Sequence, residues 1–278
     1  MTFEGLERTV PDVSDQPLDR LMSLDGRSAV VTGGARNIGL AIASRLAEAG
    51  ARVVIADADG PEAELGAGYV RSRGGMATSI AVDMRDSDAV RTLADAVVDQ
   101  FGGVDIWVNN AGMFPTRGFL EMSDADWDAM IELNLRGTFL GCREAARRMV
   151  AAGRGGVIVN IASAAAFRSS GIELSHYVAS KFGVRGLTQA LAVELGRHGI
   201  RVIGVAPTYI ERRERDVLHL ASPTAGQEQR APHLLFQLPL GREGVPDDVA
   251  RVVLFCASDL ALLLTGSTIP VDAGQLAV

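Results

Sequence analysis

The sequence predicts an α/β fold: a doubly wound parallel sheet of seven strands with helices on both faces. Three observations predict it. From Leu24 onward, short β-branched runs alternate with longer amphipathic stretches, the pattern of repeated strand–helix units. The short runs are continuously apolar, as in strands covered on both faces. A glycine-rich turn joins the first run directly to the first amphipathic stretch.

The chain has 278 residues, 47% of them hydrophobic and 22% charged. That suits one large soluble domain with a sizeable core. Strand runs fall at 29–32, 52–56, 78–82, 106–108, 157–161, 202–205 and 268–271. Helical stretches lie between them at 38–49, 61–73, 87–101, 124–152, 176–198 and 246–257. Gly66 and Gly68 weaken the second helix. Residues 1–23 are polar and aperiodic, with Pro11 and Pro17, and read as an N-terminal extension that packs on a neighbour or moves. Residues 24–278 show no linker or internal repeat and read as a single domain.

The net charge of −7 argues against nucleic acid or an anionic membrane as the main partner. Lys and Arg gather only weakly, near Arg212 to Arg215. The most apolar segment, 249–265, is short and interrupted by Arg251 and Asp259, so no membrane span is expected. No leader pattern opens the chain. Cys142 and Cys256 stand in apolar helical surroundings and read as buried thiols without a disulfide, consistent with the cytoplasm. His176, His198, His219 and His233 lack metal-ligand spacing, so no metal is expected.

The first strand runs into Thr32-Gly33-Gly34-Ala35-Arg36-Asn37-Ile38-Gly39, and a helix follows at once. Such a turn lets a pyrophosphate approach the free N–H groups and positive dipole end of the helix. It makes the expected sheet Rossmann-like. Asp57 closes the second strand, eighteen residues past Gly39. An acid at about this distance accepts hydrogen bonds from the adenosine ribose and repels a 2′-phosphate, which favours NAD over NADP. Arg36 pulls the other way, since it offers a partner to a 2′-phosphate and equally to Asp57.

Tyr177 and Lys181 stand four apart in His176-Tyr177-Val178-Ala179-Ser180-Lys181, fourteen residues after Ser163. On a helix this spacing shares a face. An unperturbed phenol titrates near pH ~10, and an adjacent cation lowers that value. A phenol so tuned serves as acid or base near neutrality, and Ser163 is placed to hold the oxygen that gains or loses the proton.

Together these residues resemble the short-chain dehydrogenase/reductase superfamily in its classical single-domain form, over roughly residues 24–275. The glycine motif matches at Thr32, Gly33 and Gly39, with Arg36, Asn37 and Ile38 inside it. Asn109-Asn110-Ala111-Gly112 matches the motif after the fourth strand. Asn134 matches the helix asparagine, and Ser163, Tyr177 and Lys181 match the catalytic set. Segments 239–250 and 265–274 also look like this family. The resemblance implies that 24–278 binds a dinucleotide and catalyses hydride transfer. Tyr177 is then general acid/base, Lys181 lowers its pKa and holds the nicotinamide ribose, and Ser163 orients the substrate oxygen. Asn134 holds a water that links Lys181 to solvent. Asp83 and Met84 bind adenine, Asn110 and Ala111 line the adenosine side, and Pro207 and Ile210 lie near the nicotinamide. A homotetramer or homodimer assembled partly through the 176–198 helix is also implied.

The chain departs from the family pattern in four places. Asn37 replaces the middle glycine, and Asn tolerates positive φ better than other residues with side chains. Pro207-Thr208 replaces Pro-Gly. Arg212 stands near where a threonine often holds the nicotinamide carboxamide, and Thr208 is the replacement candidate for that bond. The spacing from Ser163 to Tyr177 is one residue longer than usual. Residues 208–238 read as a lid over the substrate, with four-apart ion pairs Glu211–Arg215 and Arg212–Asp216. A sharper reading gives Arg212 or Arg213, with Arg168 or Arg117, an anionic group on the substrate. Met113, Phe114 and Phe167 are expected to supply apolar wall. The expected activity is NAD(H)-dependent oxidation of a secondary alcohol or reduction of a ketone, with polyols, sugars or hydroxy acids favoured. An NADP-dependent ketoreductase and a non-catalytic dinucleotide-binding sensor are the rival readings.

Overall fold

The computed structural model describes residues 10–169, 171–211 and 238–278. Seven strands form one all-parallel sheet: β1 Ser28–Thr32, β2 Arg52–Asp57, β3 Met76–Ala81, β4 Ile106–Asn109, β5 Gly156–Ile161, β6 Ile200–Pro207 and β7 Thr268–Val271. Their order is β3-β2-β1-β4-β5-β6-β7. The described helices are α1 Leu18–Met22, α2 Asn37–Glu48, α3 Gly60–Ser72, α4 Ser87–Phe101, α5 Asp124–Ile131, α6 Gly137–Ala152, α7 Ser175–Leu195 and α8 Pro246–Ala257.

Successive residues of each central strand feed opposite cores, as the pleat requires. Val31, Val53, Ile55 and Ile106 pack with Leu40, Ile42 and Leu46 of α2 and with Val249 and Val253 of α8. Val30, Val54 and Trp107 face the other way, against Leu93 and Val97 of α4 and Leu140 and Met149 of α6. Covering both faces explains why these strands carry polar residues only at their ends. The sheet changes direction between β1 and β4, paired through Val30–Trp107 and Val31–Val108. A crevice opens beyond the carboxyl ends of strands at such a point.

One expectation needs correction, and two details go beyond the sequence reading. The stretch 124–152 is not one helix, because Glu132–Arg136 is a π-helical segment between α5 and α6. Asn134 at its centre is wholly buried, and its side chain bonds outside its own helix to the Met113 main chain. Within the expected extension, Leu18–Met22 form α1, and the expected domain opens at the fully buried Leu24. Gly66 has a packing role within α3. The helix is capped by Asp59 and runs on to Ser72, and a Cβ at Gly66 would stand 3.1 Å from the Ala35 carbonyl oxygen. That glycine lets α3 approach the turn after β1.

Candidate active site

A cavity of about 790 Å³ lies at the switch point. Gly33, Arg36, Asn37, Ile38, Gly39, Asp57, Asp83, Met84, Asn110, Ala111, Ser163, Tyr177, Lys181, Pro207, Thr208 and Ile210 all line it. Asn134, read as part of the catalytic set, does not line it.

The glycine turn is built by close backbone approach. Gly33 has φ +60°, and a Cβ there would meet the Ala111 Cα at 2.8 Å. A Cβ at Gly39 would stand 2.0 Å from the Gly33 carbonyl oxygen and 2.7 Å from Asn110 Nδ2. Asn110 holds the turn to β4, donating from Nδ2 to the carbonyls of Thr32 at 3.0 Å and Gly33 at 2.9 Å. The Thr32 hydroxyl accepts from the N–H groups of Asn110 and Ala111 at 3.0 and 3.1 Å. Asn37 takes φ +48°, the conformation that asparagine tolerates and that the missing glycine would otherwise supply. Helix α2 has no capping side chain, so its first-turn N–H groups are free to meet an anion. Arg36 is exposed at the N-cap.

At the next strand end, Asp57 Oδ2 accepts from the Ala35 N–H at 3.2 Å and Oδ1 from the Asp59 N–H at 3.2 Å. Asp83 is engaged by Arg85, which donates from Nη2 at 2.6 Å and from Nε at 3.0 Å. That guanidinium holds the Asp83 carboxyl below its ordinary range. Arg85 lines the cavity and is a site residue that the sequence reading missed, as are Leu174 and Tyr209.

At the other end, Tyr177 and Lys181 share one face of α7. Lys181 Nζ lies 5.7 Å from the Tyr177 ring centroid and donates to the Ile161 carbonyl oxygen at 2.9 Å. Lys181 is 7% exposed, and burial pulls its pKa down to about 8. Phe114 packs against Tyr177, with ring centroids 5.8 Å apart. Ser163 follows β5, and its Oγ accepts from the Ala165 N–H at 3.1 Å. The side chain of Asn134 is bonded to the Met113 main chain and reaches Ser180 Oγ at 3.3 Å. Ser180 Oγ donates to the Tyr177 carbonyl oxygen at 2.7 Å. Beneath the site, Asn109 donates to Asn160 Oδ1 at 2.8 Å and accepts from Trp107 Nε1 at 2.8 Å, while Asn160 donates to Thr188 at 3.0 Å. Asn109 is thus spent on the scaffold. His176 is fully buried, neither ring nitrogen has a hydrogen-bond partner, and burial pulls its pKa below the ordinary value. Cys142 and Cys256 are buried free thiols, each pushed up to about 12.

Two of the arginines considered for an anionic group, Arg168 and Arg117, are engaged elsewhere. Arg168 donates to the carbonyl oxygens of Gln275 and Val278, each at 2.5 Å, and Arg117 pairs with Asp126 at 3.6 Å. Phe167 turns to the Arg185 guanidinium, 4.2 Å from its ring centroid, and does not line the cavity. Met113 and Phe114 do line it. Arg212, Arg213 and the rest of the expected lid through 237 lie outside the described residues.

A family model described as Enoyl-(Acyl carrier protein) reductase matches residues 33–275. The chain is 40% identical over 251 residues to D-threitol dehydrogenase of Mycolicibacterium smegmatis, covering 90% of this chain and 93% of that one. It is 37% identical over 255 residues to 2-dehydro-3-deoxy-D-gluconate 5-dehydrogenase of Escherichia coli, covering 92% and 97%. The solved structure of a short-chain type dehydrogenase/reductase from Mycobacterium marinum superposes with a TM-score of 0.83 at 34% identity, covering 93% of this chain and 98% of that one. The chain belongs to the short-chain dehydrogenase/reductase family. It is an oxidoreductase of that type, and the family uses a nicotinamide dinucleotide. The residues present fit such a group, because the glycine cradle at Gly33 and Gly39 has no room for a Cβ. Uncapped N–H groups stand at α2.

Proposed function

We propose that this protein interconverts a secondary alcohol and its ketone with NAD(H), with Tyr177 as general acid/base. The observation that carries the reading is the pairing on α7, where the Lys181 amine lies 5.7 Å from the Tyr177 ring centroid in the cavity. Lys181 in its charged form favours phenolate and lowers the cost of proton removal. Tyr177 then takes the proton from the substrate hydroxyl on oxidation and returns it on reduction. Ser163 Oγ donates to the substrate oxygen and keeps it within reach of the phenol. When bound, the nicotinamide ring exchanges a hydride with the carbon that carries this oxygen. Gly33, Asn37, Ile38 and Gly39 bind the pyrophosphate, Asp57 the adenosine ribose, and Asp83 and Met84 the adenine side. Lys181 reaches the nicotinamide ribose.

Asp57 supports NAD over NADP, since its carboxylate faces the cavity beside the glycine turn. An NADP-dependent reading has one observation in its favour, the exposed Arg36 at the α2 N-cap. Polyols, sugars or hydroxy acids are the favoured substrates. D-threitol dehydrogenase and 2-dehydro-3-deoxy-D-gluconate 5-dehydrogenase, named for a polyol and a sugar acid, support that choice.

Oligomerisation through α6 and α7 is part of the proposal. Phe139 and Val150 on α6 are exposed, as are Phe182 and Val193 on α7. Each pair is eleven residues apart and so shares a helix face. A cytoplasmic location is part of the proposal; among the described residues no helix is long and apolar enough to cross a membrane. The test is dinucleotide reduction across polyols, sugar acids and cyclic alcohols, with Tyr177→Phe as control. The expected outcome is turnover with NAD that falls at least ~100-fold in Tyr177→Phe while NADH binding persists. Equal turnover in the variant overturns the reading.

A further inference from the structure

Thr208 lines the cavity at the end of β6, and its hydroxyl donates a hydrogen bond to Gln275 Oε1. Gln275 is 3% exposed and does not line the cavity. It is fixed by its own main chain. Its N–H donates to the Asp272 carbonyl oxygen at 3.0 Å, and its carbonyl oxygen accepts from Arg168 Nη2 at 2.5 Å. The Asp272 carboxylate closes the turn, accepting from the N–H groups of Gly274 at 3.0 Å and Leu276 at 2.8 Å. Thr208 is anchored beside it, its N–H donating to the Val271 carbonyl oxygen at 3.3 Å. Arg168 lies five residues past Ser163, so one guanidinium ties the serine-bearing loop to the turn that carries Gln275.

A hydroxyl has one hydrogen and two lone pairs. With its hydrogen committed to Gln275, Thr208 offers the cavity an acceptor and no donor. The nicotinamide carboxamide carries the matching donor, its NH₂. We infer that Gln275 is a positioning residue that fixes the Thr208 hydroxyl as acceptor for the carboxamide N–H, which restricts rotation of the nicotinamide ring. This rests on the reading that the cavity takes a nicotinamide dinucleotide. It also accounts for the Pro207-Thr208 departure, because glycine at 208 would leave Gln275 Oε1 buried without this bond.

The test compares NADH with its reduced 3-acetylpyridine analogue, which keeps the carbonyl but replaces the amide nitrogen with a methyl group. Affinities are measured by titration for the wild type, Thr208→Val, Gln275→Met, Gln275→Glu and the Thr208→Val/Gln275→Met double variant. Melting without dinucleotide monitors the fold. The wild type is expected to prefer NADH by about tenfold, the effect of one hydrogen bond. Thr208→Val and Gln275→Met each reduce the preference to about twofold or less, and the double variant reduces it no further, because the two residues act as one unit. Gln275→Glu keeps an acceptor oxygen and retains the preference. If Gln275→Met melts early, Arg168→Met serves instead. It lies at an exposed position, frees the Gln275 carbonyl, and is expected to reduce the preference in the same direction. Full preference in a normally melting Gln275→Met, or in both Thr208→Val and Arg168→Met, overturns the role of Gln275 alone. A wild type that binds NADH, NADPH and the analogue not at all overturns the dinucleotide reading, and this role with it.

Discussion

The side-chain amide of Asn134 pairs with the main chain of Met113 in both directions. Oδ1 accepts from the Met113 N–H at 2.9 Å, and Nδ2 donates to the Met113 carbonyl oxygen at 2.8 Å. A longer contact reaches Ser180 Oγ, which in turn donates to the Tyr177 carbonyl oxygen. One buried amide thus joins the π-segment, the chain after β4 and the helix that carries Tyr177. Single π turns inside helices often mark functional sites. Here the widened turn accompanies an amide that bonds outside its own helix.

Asn134→Ala leaves the Met113 N–H and carbonyl without these partners in a half-buried place. The expected cost is about 1–2 kcal/mol, a fall in Tm of roughly 2–4 °C for a chain of this size. Asn134→Asp keeps the acceptor and loses the donor, and is expected to fall between. Thermal unfolding of the two variants checks this. A large loss of kcat in Asn134→Ala at unchanged Tm would show that the amide acts on the proton path and not on the architecture.

Gly39→Ala tests the phosphate cradle. The added Cβ would stand 2.0 Å from the Gly33 carbonyl oxygen, a main-chain atom held by Asn110. The turn has to move, and with it the N–H groups at the start of α2. NADH affinity is expected to fall at least ~tenfold, about 1.4 kcal/mol, while the distant core stays intact. Titration of NADH checks this, and wild-type affinity would mean that the cradle does not carry the pyrophosphate.

What was legible in the sequence is what local spacing encodes. Tyr177 and Lys181 share a face because four residues make about one helical turn, and Gly33, Gly39 and Asp57 sit at fixed offsets from strand ends. The π-segment was hidden because the bond that accompanies it runs from Asn134 to Met113, 21 residues away, while the apolar periodicity of 124–152 reads through it. The Thr208–Gln275 and Arg168–Gln275 contacts span 67 and 107 residues, and no local pattern announces them. Arg85 was missed for a different reason. Two residues from Asp83 in an exposed turn, it looks like an ordinary surface cation, and only its fork onto Asp83 brings it into the site.

Under the proposed function, Asp57 sets the cofactor preference. A 2′-phosphate placed beside its carboxylate meets like charge, whereas a ribose hydroxyl meets an acceptor. Asp57→Asn removes the charge and keeps an oxygen for the Ala35 N–H. The NADP-to-NAD ratio of kcat/KM is expected to rise roughly tenfold to a hundredfold, the scale of one close charge pair at partial exposure. Adding Arg36→Ala is expected to cancel part of that rise, because Arg36 is then missing as the phosphate's partner. An unchanged ratio in Asp57→Asn would remove Asp57 from the ribose site.

Lys181 makes stability depend on pH. Its one hydrogen bond among the described residues goes to the Ile161 carbonyl oxygen, and burial lowers its pKa to about 8. In the unfolded chain an unperturbed lysine titrates near ~10.4. Between these values the unfolded chain holds a proton that the folded protein has released. Stability therefore rises with pH through this window, and below pH 8 both states are protonated and the cost of burying the ammonium is constant. The full change is about 3 kcal/mol. Lys181→Met removes it, so the stability advantage of the variant over the wild type is expected to shrink by that amount between about pH 7.5 and 10.5. Denaturant unfolding of both proteins across the range checks this. Arg201, pulled down to about 10 by burial, and the two buried thiols are present in both proteins and cancel in the difference. Parallel pH profiles would mean that the ammonium keeps its ordinary pKa in the folded protein. Tyr177 would then have a fully charged neighbour well above pH 8.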